Sequence, residues 1–114
     1  MEFANYYLLL VFAPLLILVG VLGFLIPKEK SLTSGEAAYN IFHIMFGIIG
    51  LLCLFSQNDF AIRAFNIGFG LIDLYQAAAS FLHLFPERHF KWTRVDDVLH
   101  IVIGAILVIV GAFA

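Results

Sequence analysis

The sequence predicts an all-α integral membrane protein, a four-transmembrane-helix bundle built as two tandem helical hairpins. Composition points there first: 63% of the 114 residues are hydrophobic, only 12% are charged, and the mean hydropathy is +1.04. Soluble chains carry roughly 25% charged residues. Length points there next, because a bilayer core needs about 20 apolar residues per helix. Four runs meet that length, at about 6–26, 37–55, 62–85 and 95–113. Repetition is the third observation: Asn40-Ile-Phe-His43-Ile-Met-Phe-Gly47 returns as Asp97-Val-Leu-His100-Ile-Val-Ile-Gly104. In both copies a hydrogen-bonding residue, a His and a Gly share one helix face.

The first run follows Glu2, an acidic residue where a secretory leader carries Lys or Arg, and it is too long for a leader's apolar segment. It therefore reads as a membrane helix, and Pro14 within it is tolerable in lipid. The second and fourth runs carry the repeated motif. The third differs from the first in holding Asn66, Asp73, Gln76, Ser80 and His83. Asn66, Gly70, Asp73, Ala77 and Ser80 alternate in steps of four and three, a small and polar stripe suited to packing against another helix. Gly47 and Gly50, and likewise Gly104 and Gly111, offer similar close-approach faces. The four helices and their short connections fill residues 1–114 as a single domain.

A shift of 57 positions maps His43 onto His100, and Phe24-Leu25 onto Phe81-Leu82. The repeat is parallel, with a pseudo-two-fold axis along the membrane normal. Lys28, Lys30, Arg88, Lys91 and Arg94 fall in the two connections on one side, and Arg63 alone on the other. The positive-inside rule makes the basic side cytoplasmic and both termini periplasmic. Tyr6 and Tyr7 then belong to the outer aromatic belt, and Phe90 and Trp92 to the inner one.

His43 lies about 9 Å into its helix from the cytoplasmic end. His100 and His83 fall at similar depth in the same leaflet. Facing imidazoles in a helical bundle are suited to axial ligation of haem or chlorophyll, which makes His43 and His100 candidate cofactor ligands, with His83 a third. Gly47 and Gly104, one turn along, would leave room for a flat ring. Packing histidines that bond a neighbouring helix are the other reading. Asn40 and Asp97 would then cap their helices or fix an imidazole. Asp96 and Asp97 could join a non-haem metal site, but no ligand spacing is diagnostic and no metal is expected. Asp73, near the midplane, is expected to be neutral or paired, either bonded to Gln76 or serving in a proton relay. A transporter would need more polar groups at that depth. Cys53, the sole cysteine, excludes an internal disulfide and reads as a packing residue. The net charge of −2 gives no basic patch for nucleic acid. Nucleophile–base pairs, phosphate loops and zinc-helix motifs are missing from the sequence, so no enzyme is expected. The segment 86–97 mixes basic and aromatic residues, as an interfacial loop on anionic lipid does.

The motifs resemble a widespread bacterial family of small four-helix membrane proteins classed as a domain of unknown function. That family carries Asn-x-x-His in helix two, here Asn40-Ile-Phe-His43, and Asp-Asn-x-Leu-His-x-x-x-Gly in helix four, here Asp96-Asp97-Val-Leu-His100-Ile-Val-Ile-Gly104. Asp97 stands where the family has Asn, and an ionised Asp cannot donate as Asn does. The resemblance implies the architecture and a bacterial inner membrane; it implies no activity. The expectation is a small, non-catalytic accessory subunit of a respiratory or photosynthetic membrane complex. It would be surrounded by lipid and packed against other integral membrane subunits or copies of itself. A haem- or chlorophyll-binding module is the rival.

Overall fold

A computed structural model describes residues 2–30, 34, 36–85 and 90–114. Among the described residues four long helices follow one another: α1 Glu2–Leu25, α2 Ala37–Phe55, α3 Asp59–Leu82 and α4 Arg94–Phe113, with a 3-10 turn at Lys28–Lys30. The expected all-α bundle is present. α1 starts before position 6 because its polar first turn is helical too. α3 starts at Asp59 rather than 62 because the Asn58 side chain caps it, accepting from the Ala61 N–H at 3.1 Å. It stops at Leu82 rather than 85 because His83 turns left-handed, with φ 58°. α4 opens with a capping box between Thr93 and Asp96.

α1, α2 and α4 are long and apolar enough to cross a membrane. α3 is as long as α1 but does not qualify on composition, a correction to the expectation of four such runs. It buries Asn66, Asp73 and Gln76 inside the bundle. Leu, Ile, Val and Phe side chains cover the outside, including Val11, Leu18, Ile48 and Ile109, as a lipid-facing surface requires.

α1 packs antiparallel on α2, and α3 on α4, through glycines. A Cβ on Gly47 would lie 2.5 Å from Ile17 of α1, and one on Gly70 would lie 2.9 Å from the Gly104 carbonyl of α4. The small-residue faces expected to pack against another helix do so within the chain. Gly68 alone among the described glycines faces open space.

The hairpin repeat extends through the packing. α2 buries Tyr39, Asn40, His43, Gly47, Gly50 and Leu54; α4 buries Asp96, Asp97, His100, Gly104, Leu107 and Gly111. Each residue of the second set lies 57 positions after its counterpart, the separation at which Tyr39 and Asp96 are hydrogen-bonded. Residues related by a two-fold axis touch only where they lie near it. Among the described residues, Tyr39 touches Asp96, and Phe12 touches Phe69 with ring centroids 5.6 Å apart. The core around this axis contains Leu9, Phe12, Leu16, Leu54, Phe65, Phe69 and Leu107, with Cys53 packed at its edge.

Candidate functional site

The buried polar groups fall into two sets. At the end holding the α2–α3 turn, the Asn66 Nδ2 donates to both the backbone carbonyl and the Oδ1 of Asn5, each at 3.1 Å. At the other end lie Tyr39, Asn40, His43, Asp73, Gln76, Asp96, Asp97 and His100. Phenylalanines separate them: Phe69 stacks on Phe65 at 5.6 Å and meets Phe46 at 5.1 Å. With about 10 Å of helix between Asn66 and Asp73, this plug leaves no polar path along the bundle among the described residues.

His43 is held in two ways. Its Nδ1 meets the Tyr39 carbonyl one turn back at 2.8 Å, and its ring lies 4.2 Å from the Tyr39 ring. A neutral imidazole donating from Nδ1 to that carbonyl keeps its Nε2 as an acceptor. Tyr39 is in turn fixed by donating its Oη to Asp96 Oδ1 at 2.6 Å. The other Asp96 oxygen accepts from the Thr93 backbone N–H at 2.9 Å. The group orienting His43 is thus the Tyr39 carbonyl and not Asn40, which lies against Gly23 of α1. The helix caps are likewise Glu36 and Thr93 rather than Asn40 and Asp97.

His100 is 5% exposed, and its Nδ1 is buried without a hydrogen-bond partner among the described residues; the same holds for Asp97 Oδ1. His43, His100 and Asp73 border one cavity of about 70 Å³, walled also by Phe12, Leu16 and Tyr39. Its remaining wall includes Leu15 of α1 and Leu99 of α4, both more than two-fifths exposed, so it opens sideways between α1 and α4. Gln76 reaches Asp73 Oδ1 from its Nε2 at 3.4 Å, a long contact, and accepts from the Trp92 indole at 3.1 Å.

Several expected placements differ. His83 is exposed at the end of α3 and does not border the cavity; the left-handed turn there carries it out of the helix. Trp92 is buried and Phe90 half-buried, packed against Tyr39 instead of lying in an interfacial belt. Together they lid the polar cluster. Residues 86–89 of the proposed interfacial loop lie outside the described residues. Gly47 and Gly104 leave no slot for a ring, because Ile17 and the Gly70 carbonyl occupy those faces. About 70 Å³ between the histidines is well below the roughly 300–1,000 Å³ of ligand pockets. Haem and chlorophyll do not fit there. No group of three metal-binding side chains occurs among the described residues.

Tyr39 escaped the sequence reading, and Asp96 and Trp92 were read there in other roles. Tyr39 and Asp96 are themselves a repeat pair, so the 57-residue shift could have signalled them. Trp92 carried no signal beyond its aromatic character. Comparison with protein-family models, curated proteins and solved structures finds no match for this chain.

Proposed function

We propose that this chain is a non-catalytic binding subunit of a bacterial inner-membrane assembly, with the cavity bordered by His43, His100 and Asp73 as its working site. One observation carries the reading: three buried ionisable side chains, His43, His100 and Asp73, border one cavity open to the lipid-facing side. An unsatisfied buried polar group costs about 1–3 kcal/mol. A bundle serving only as packing would be more stable with apolar residues around that cavity, which favours a binding role for it. The apolar outer belt is where lipid, companion subunits or further copies of the chain would lie.

The orientation follows the charges. Lys91 pairs with Glu36 at 3.9 Å, and Ser34 donates to the Phe90 carbonyl, joining the two basic connections at one end. That end is cytoplasmic in this proposal, and the Asn5–Asn66 end periplasmic.

The test is extraction from native membranes in mild detergent, followed by native electrophoresis and mass spectrometry of the organic extract. The expected result is a particle heavier than the chain alone, carrying a lipid-soluble molecule that is depleted in His100→Leu. A particle containing only this chain, with an extract matching bulk lipid, would contradict the proposal.

A further inference from the structure

We infer that a cavity at the Asn5–Asn66 end of the bundle holds the headgroup of a phosphoethanolamine lipid, its phosphate on Arg63 and its ammonium on Asp59. This site lies apart from the histidine cluster and does not depend on the role proposed there. The cavity measures about 240 Å³ and is walled by Asn5 of α1 and by Asp59, Phe60, Ile62 and Arg63 of α3. Asn5 and Ile62 are buried and form its inner wall. Asp59, Phe60 and Arg63 are exposed and form its rim, so both signs of charge and an apolar ring meet at one opening.

The two charges are available. Asp59 and Arg63 stand one turn apart, about 6 Å along α3, in the order that favours an ion pair on a helix. They do not pair. The Asp59 carboxylate has no ion-pair or hydrogen-bond partner among the described residues, and Arg63 donates instead to the Ala114 carbonyl beyond α4. One such bond leaves most of the five guanidinium donors unused. Asn5 adds a buried Nδ2 without a partner among the described residues. A phosphoethanolamine carries its phosphate and ammonium two carbons apart, a span suited to side chains one turn apart. Its ammonium donates hydrogen bonds to a carboxylate, which the methylated nitrogen of a choline head cannot do. A glycerol head brings an anion to Arg63 and nothing to offset Asp59.

Depth and surroundings point to a lipid as the source. α2 ends at Phe55 and α3 begins at Asp59, so the cavity lies at the level of the helix ends, where headgroups lie. Phe60 on the rim is 81% exposed and gives the acyl chains an apolar surface beside the charges. The volume suits a headgroup: it exceeds the roughly 150 Å³ that takes up benzene and falls below the roughly 300–1,000 Å³ of larger ligands.

The full chain, purified in detergent, is titrated with dioleoyl phosphatidylethanolamine, phosphatidylcholine and phosphatidylglycerol, and the retained lipid is counted by native mass spectrometry. The ethanolamine lipid is expected to bind about tenfold more tightly than either of the others. Asp59→Asn should raise its Kd about tenfold, equivalent to one lost charge-assisted hydrogen bond, and so abolish the preference. Arg63→Gln should weaken all three lipids. Both side chains are exposed, so neither variant disturbs the core. Equal binding of the three lipids, or a preference that Asp59→Asn leaves unchanged, would overturn the proposal. Tightest binding of the glycerol lipid would overturn the role of Asp59 and the proposal with it. Glycerophosphoethanolamine, the same head without acyl chains, should bind far more weakly; affinity equal to the lipid's would make the site one for a free solute and overturn the lipid assignment.

Discussion

Tyr39 donates its hydroxyl to Asp96 across 2.6 Å, and the two residues are counterparts in the hairpin repeat. One bond therefore closes the bundle near its pseudo-axis and also sets the carbonyl that holds His43. Tyr39→Phe keeps the ring contact with His43 and removes the bond. The expected loss is about 1–2 kcal/mol of stability, since a buried carboxylate oxygen loses a partner. Reversible unfolding in mixed micelles measures it, and a double-mutant cycle with Asp96→Asn should show coupling between the two sites.

Glycine substitutions separate internal from external faces. In Gly104→Ala the new methyl meets the Gly70 carbonyl at 2.9 Å, so α3 and α4 must move apart. The cost should be about 1–3 kcal/mol, the range for overpacking. Gly68→Ala enters open space, gains helix propensity and should be neutral or slightly stabilising. Thermal unfolding of both variants checks the contrast; equal destabilisation would mean that the α3 outer face is also occupied.

Asp73 should tolerate amidation. Asn is nearly isosteric, and the Gln76 contact to Asp73 is already long. Asp73→Asn should fold and assemble within about 1 kcal/mol of the parent. Strong loss of assembly, read by size-exclusion chromatography, would reveal an essential charge pair.

Orientation is tested by labelling with an impermeant thiol reagent in a Cys53→Ser background. Gln57→Cys, in the exposed α2–α3 turn, should label from outside intact cells; Glu29→Cys, in the exposed 3-10 turn, should label only after permeabilisation. The opposite pattern would invert the topology.

Much of the architecture was legible because a membrane helix announces itself by length and hydropathy. α2 matches the sequence reading at both ends. The polar start of α3 was not legible from hydropathy, because a side-chain cap, and not an apolar run, decides where it begins. Spacing put His43 and His100 on inward faces, and both are buried there. What spacing could not supply was the neighbour of each face. Gly47 and Gly104 looked like room for a ring, yet Ile17 and the Gly70 carbonyl fill them. Trp92 looked interfacial, yet Gln76 offers its indole a buried acceptor. Such pairings depend on the angles between helices, which one-dimensional periodicity does not encode.

A crystal structure of the chain grown from a lipidic mesophase tests the central claim most directly. The account predicts non-protein density between α1 and α4, reaching into the cavity bordered by His43, His100 and Asp73. A closed α1–α4 seam, with that cavity filled by protein side chains, would contradict it.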